Sequence, residues 1–223
     1  MRPQQVLLLG LMLLVPVLAF LFLKSFGTNR YALPFYLPER VDSTLVAGKW
    51  QRDTVFHQLG AFRLREGAGG REVSGAELRA QGLYVLSTLP AAGCPPECQR
   101  QTAQLVRVQE KFRQDPRVRL ASVLTGPGAD SGAAAARYAE QAGAIAGKWF
   151  FLTGNESTVA RLVEQELRLP AAGAAPAASP LPLVVQLIDR DGYVRGRYDG
   201  TSERDMNRLI TEITVLLYIY EHP

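Results

Sequence analysis

Cys94 and Cys98 are the only cysteines among the 223 residues, and they sit four apart in Leu89-Pro90-Ala91-Ala92-Gly93-Cys94-Pro95-Pro96-Glu97-Cys98-Gln99. If the segment after Pro95 is helical, residues at i and i+4 share one face. The first turn of such a helix offers unpaired N–H groups and a positive dipole end, both of which favour thiolate. Two adjacent thiolates are soft ligands suited to Cu(I) or zinc, and they also oxidise to a disulfide. Cysteine is among the most buried residue types, so plain core packing competes with these readings. The closeness of the pair and its Gly/Pro-rich flank argue for function. A structural disulfide is the main competitor, and structural zinc is weaker because it normally takes four protein ligands.

The elements that would position the thiols follow from periodicity and turn residues. Gly82 to Leu89 reads as a buried strand entering the cysteine loop, and Gln99 to Gln114 carries Leu105, Val108 and Phe112 at helical spacing. Val118 to Leu124 is a second strand, Ala133 to Gly143 an alanine-rich helix, Lys148 to Leu152 a strand edge and Glu156 to Leu167 a third helix. Ala171 to Pro182 is an Ala/Pro/Gly loop. Leu183 to Asp189 turns at Arg190-Asp191-Gly192 into Tyr193 to Tyr198 as a hairpin, and Ser202 to Tyr220 closes the chain as an amphipathic helix. Upstream, Asp53 to Leu64 reads as a strand or hairpin arm with Gly67-Ala68-Gly69-Gly70 as its turn, and Ser74 to Leu78 as a short helix start. The order β-α-β-α…β-β-α, with thiols between first strand and first helix, predicts an α/β thioredoxin-like domain whose central mixed sheet is flanked by helices. Thiols there occupy the ligand crevice of an open α/β sheet.

At the N-terminus, Val6 to Leu23 is an eighteen-residue run without a charge, closed by Lys24. That length spans a bilayer, and Pro16 is tolerable in a membrane helix. No small-residue cleavage site follows, so the run reads as an uncleaved single-pass anchor rather than a signal peptide. A terminal anchor before a long globular remainder favours export of the C-terminal part, which places the thiols in an oxidising, periplasmic-type space. The expected organisation is residues 1–24 as transmembrane anchor, 25–49 as spacer and 50–223 as the thioredoxin-like domain. Basic and acidic residues, 25 against 21, are scattered along the chain. No basic stripe suggests a nucleic-acid partner.

Beyond these patterns, the chain resembles the SCO/SenC family of cytochrome c oxidase assembly proteins. The resemblance is carried by the anchor, by Cys94-x-x-x-Cys98, by Thr102-Ala103-Gln104-Leu105 to Phe112, and by Tyr138 to Ala144 followed by Trp149-Phe150-Phe151-Leu152-Thr153-Gly154. Leu187 to Gly200 fits the family's late hairpin, and the likeness covers roughly residues 50 to 220. It implies copper as the ion handled, with Cys94 and Cys98 as metal ligands or redox thiols. As partners it implies the copper-binding subunit of a respiratory oxidase or that subunit's assembly factors. The family's third ligand, a histidine shortly before the late strand, does not transfer: Ala178-Ser179-Pro180-Leu181-Pro182 stands there. The chain's histidines are His57 and His222, read as a strand residue and a solvated tail. The family's Asp-Pro-x-x-Asp loop is reduced to Gly126-Pro127-Gly128-Ala129-Asp130, with Asp130 expected to cap the following helix. The chain is therefore read as a diverged member.

Three functions compete. The first is a membrane-tethered assembly factor acting as copper carrier, as thiol–disulfide reductant, or both. The second is a degenerate thioredoxin-like domain whose disulfide is structural and whose surface binds a partner without catalysis. The third is a peroxiredoxin-type peroxidase, which the Pro95-Pro96 motif does not favour.

Overall fold

The apolar N-terminal run winds into one helix, α1 (Pro3–Phe26), with Pro16 inside it. Leu11, Met12, Phe20 and Phe22 all stand exposed along α1. The computed structural model describes residues 3–26, 33–46, 49–67, 70–169 and 183–222, and within α1 the side chains of residues 4–5 and 11–22. Among the described residues no helix is long and apolar enough to cross a membrane. The loop read at 171–182 lies outside the described residues. The chain divides into two units, Met1–Ala32 and Leu33–Pro223.

The second unit begins with a two-stranded antiparallel hairpin, β1 (Pro38–Val46) and β2 (Lys49–Phe56), in which Leu45 faces Trp50. Residues 38–46 thus form a strand within the stretch read as spacer. Then come β3 (Arg63–Glu66) and β4 (Arg71–Ser74), the hairpin turned at the glycine cluster, and the short α2 (Gly75–Arg79), capped by the Ser74 hydroxyl accepting from Glu77 N–H. The remaining elements are β5 (Leu83–Pro90), α3 (Pro96–Lys111), β6 (Val118–Thr125), α4 (Gly132–Gln141), β7 (Trp149–Thr153), α5 (Glu156–Arg161), β8 (Val184–Ile188), β9 (Val194–Asp199) and α6 (Glu203–Glu221). A π-helical turn, Leu162–Glu166, prolongs α5.

Seven strands form one sheet in the order β4-β3-β7-β6-β5-β8-β9. β5, β6 and β7 run parallel; β8 lies antiparallel to β5, and β9 to β8. Strands covered on both faces need near-continuous apolar sequence, and Leu83-Tyr84-Val85-Leu86 and Trp149-Phe150-Phe151-Leu152 supply it with almost no exposure. One face packs Leu83, Val85 and Leu120 under Leu105 of α3, Tyr138 of α4 and Leu209 of α6. The other packs Tyr84, Leu86 and Phe150 under Leu78 of α2 and Val159 of α5. This is the mixed sheet between helical layers that the sequence predicts, and it brings the C-terminal end of β5, an interior strand, against the N-terminal end of α3.

Candidate functional site

β5 ends at Pro90, and the chain turns through Ala91–Cys94 into α3. The loop is tied to the sheet: Ala91 N–H donates to Thr125 O (2.9 Å), the Thr125 hydroxyl donates to Leu89 O (3.2 Å), and the Tyr138 hydroxyl of α4 donates to Pro90 O (2.6 Å). Burial pushes the Tyr138 phenol above its ordinary value, with Arg137 pulling the other way. Gly93 has φ 151°, a conformation L side chains rarely adopt, with open space where a Cβ would point. Glycine here lets the backbone swing Cys94 over the mouth of α3.

Cys94 and Cys98 are joined in a disulfide, their Cα atoms 5.2 Å apart and within the span such a bond needs. The two sulfurs are not equivalent. Cys98 is 0% exposed and belongs to the core beneath α3 and α6, whereas Cys94 is only partly buried and packs against that core from outside. An incoming thiolate therefore meets Cys94. Pro95 is the N-cap residue of α3 and Pro96 its first helical residue. Proline has no N–H, so Glu97 and Cys98 carry the N–H groups of the first helical turn. The Glu97 carboxylate is engaged by Arg100 at 3.0 Å. Gln99 Nε2 donates to Cys94 O (3.1 Å) and the Thr102 hydroxyl to Cys98 O (2.9 Å), holding the first turn.

Beside Cys94 a groove of about 820 Å³ opens between α3 and α4. Ala103, Val106 and Ala142 give it apolar walls, and Gln99, Gln141 and Arg137 its polar ones. Nothing in the sequence marks this groove, because it is made by how two helices pack rather than by either helix.

The other residues singled out from sequence lie elsewhere. His57 sits on the α5 side, its Nε2 3.4 Å from Glu166 Oε2, the oxygen that also accepts from Gly60 N–H (2.6 Å). His222 ends α6, stacked on Tyr218 with ring centroids 4.3 Å apart. Neither imidazole joins the thiols. Asp130 does not cap α4: the Ser131 hydroxyl accepts from Ala134 N–H (3.2 Å) and takes that role, because the N-cap position falls one residue later than the spacing suggests. Among the described residues no three His, Cys, Asp or Glu side chains cluster to hold a metal ion. The donor set is thus two sulfurs that become thiolates on two-electron reduction. That set fits Cu(I), which accepts soft ligands at low coordination number, and fits Cu(II) poorly, which wants nitrogen and oxygen donors.

No protein-family model matches the sequence, and no curated protein matches it. Solved structures do. BsSco, a member of the Sco family of cytochrome c oxidase assembly proteins in which a disulfide switch was identified, is 18% identical with TM-score 0.61, over 72% of this chain and 93% of that one. A SCO1/SenC family lipoprotein from Bacillus anthracis is 18% identical with TM-score 0.59, over 72% and 95%. Bradyrhizobium japonicum ScoI, solved with copper bound, is 17% identical with TM-score 0.56, over 71% and 99%. With Sco/SenC proteins from several species among its structural neighbours, this chain has the thioredoxin-like fold of that family.

Proposed function

We propose that this chain is a membrane-tethered, Sco-like factor in cytochrome c oxidase biogenesis, working through Cys94 and Cys98 on the exported side of the membrane. The carrying observation is the asymmetric pair at the mouth of α3, one sulfur reachable and one fully buried. In the reduced state two thiolates take up Cu(I) as cargo for the oxidase's copper-binding subunit. The same pair exchanges with a partner's disulfide. The Cys94 thiolate attacks one partner sulfur, the partner's S–S bond breaks and one partner thiolate leaves. Cys98 then attacks Cys94 Sγ, the Cys94–Cys98 bond forms and the second partner thiolate departs, so two electrons pass to the partner. With both imidazoles away from the sulfurs, reductant chemistry is favoured over Cu(II) handling. The charge-free sequence run from Val6 to Leu23 supports the tether.

Copper titration tests the reading. Fully reduced protein competes with a chromophoric Cu(I) chelator, beside Cys94→Ser/Cys98→Ser. One-to-one binding that the double mutant loses is expected. No competitive binding by the wild type removes the carrier role and leaves thiol–disulfide exchange or a non-catalytic interaction role. Retention in the membrane pellet after alkaline washing checks the tether.

A further inference from the structure

We propose that the groove between α3 and α4 seats an extended, cysteine-bearing segment of the partner protein that carries a carboxylate beside its cysteine, and that Arg137 reads that carboxylate. The inference rests on the reading that exchange runs through Cys94.

Neither a copper ion nor a bare thiol needs a groove of about 820 Å³; that volume is in the range that encloses a ligand of several side chains. It opens beside the attackable sulfur and runs along Thr102, Ala103 and Val106 of α3. Of its eleven lining residues one is charged, Arg137 of α4. The nearby cations of α3 are engaged: Arg100 with Glu97 at 3.0 Å, and Arg107 with Asn207 at 2.7 Å and Glu203 at 3.8 Å. Among the described residues Arg137 has no carboxylate within ion-pair distance, and no carboxylate lines the groove. A single uncommitted cation on an otherwise neutral wall complements one negative charge and selects against a positive one.

The backbone at the groove's head points to an extended occupant. Ala92 and Gly93 are exposed and lie outside every strand, and nothing lies within 4 Å of where a Gly93 Cβ would be. Exposed backbone of this kind can pair with a passing strand, the usual way an extended segment gains affinity while side chains give specificity. A low-molecular-weight thiol would use the sulfur and leave the length of the groove unfilled.

The test uses the full chain, reduced, in detergent micelles, with three synthetic peptides closed by a disulfide that differ only in Glu, Gln or Lys beside the attacked cysteine. The readout is the second-order rate of peptide reduction, taken as the Glu-to-Lys ratio within each variant. The wild type is expected to reduce the Glu peptide about tenfold faster than the Lys peptide at low salt. High salt should shrink that ratio, Arg137→Gln should bring it close to one, and Arg137→Glu should invert it. Equal rates on the three peptides, or a preference that survives Arg137→Gln, overturn the inference while exchange itself stands. Uncharged hydroxyethyl disulfide separates the two claims: if the wild type does not reduce it, the exchange reading fails and this inference with it.

Discussion

Reducing the Cys94–Cys98 bond should cost the fold little. The bridge closes a loop of five residues, since the cysteines are four apart. In the chain-entropy account the constraint on the unfolded state is −2.1 − 1.5R ln n, which for n = 5 is about −7 cal/mol/K, or roughly 2 kcal/mol at 25 °C. A bridge over a hundred residues would contribute about 4.7 kcal/mol on the same scale. Because Cys98 is already fully buried in the core, breaking the bond removes no packing atoms and opens no cavity, so the entropic contribution dominates. Spread over a domain of this size, roughly 2 kcal/mol lowers Tm by about 4 to 8 °C. Scanning calorimetry of the protein with and without a phosphine reductant reads this directly. The thermodynamic cycle gives an independent check: the same roughly 2 kcal/mol makes the folded pair about 45 mV more reducing than the pair in the denatured chain. Unfolding on reduction, or a drop beyond about 15 °C, would mean that the bridge is a structural staple and the redox reading is wrong. A rise in Tm on reduction would refute the loop arithmetic itself.

Three further outcomes are expected. Cys98→Ser should accumulate a mixed disulfide through Cys94 with a disulfide-bearing partner peptide, while Cys94→Ser should accumulate none, as read by mass spectrometry without reductant. Gln101, fully buried in α3, has neither its amide nitrogen nor its oxygen paired among the described residues; an unsatisfied buried amide costs about 1 to 3 kcal/mol. Gln101→Met, of similar shape, should therefore raise the urea midpoint, and a lowered midpoint would show that the amide is satisfied. Asp115 accepts from Arg117 Nε (2.9 Å) and Nη2 (2.7 Å), and this pairing holds its carboxyl below the usual carboxylate range. A depressed folded value gives stability that is present above the unfolded carboxylate's titration and is lost as pH falls through the lower folded one. Asp115→Asn should thus lower Tm at pH 7 by about 1 to 3 °C, the partly exposed pair being worth at most about 1 kcal/mol, and the difference should vanish in acid.

The elements around the thiols were legible because their signals are local. Gly82 to Leu89 and Val118 to Leu124 are apolar runs of strand length, and they became β5 and β6 with no end shifted by more than one residue. Leu105, Val108 and Phe112 recur at helical spacing, and all three are buried on one side of α3 or at its end. Arg190-Asp191-Gly192 is a turn by composition, and β8 and β9 pair across it. Pro38–Val46 was harder. Its paired partner begins at Lys49, and side chains such as Val41 and Leu45 remain exposed, so no buried face imposes the alternation that marks a strand. The cap of α4 was missed by one residue because Asp130 and Ser131 are both good capping types, and only backbone geometry chooses between them. The groove and Arg137 left no trace in sequence spacing, since they depend on how closely α3 and α4 approach.

The division of labour between the two sulfurs follows from where α3 begins. An exchange reaction needs one sulfur that solvent and partner can reach and a second that cannot be intercepted before it resolves the mixed disulfide. Pro95 and Pro96 fix the helix start between the cysteines, so Cys94 stays in the loop while Cys98 is carried into the first turn and under the helix. Cys98 reaches the core because it shares the buried face of α3 with Gln101, Leu105 and Val108, which follow it at helical spacing. In the proposed exchange Cys94 is the sulfur a partner reaches, and Cys98, shielded by the core, is the one that resolves. A carrier of Cu(I) needs both sulfurs ionised at once, so the asymmetry that suits exchange works against metal capture until the ion itself draws the second proton off.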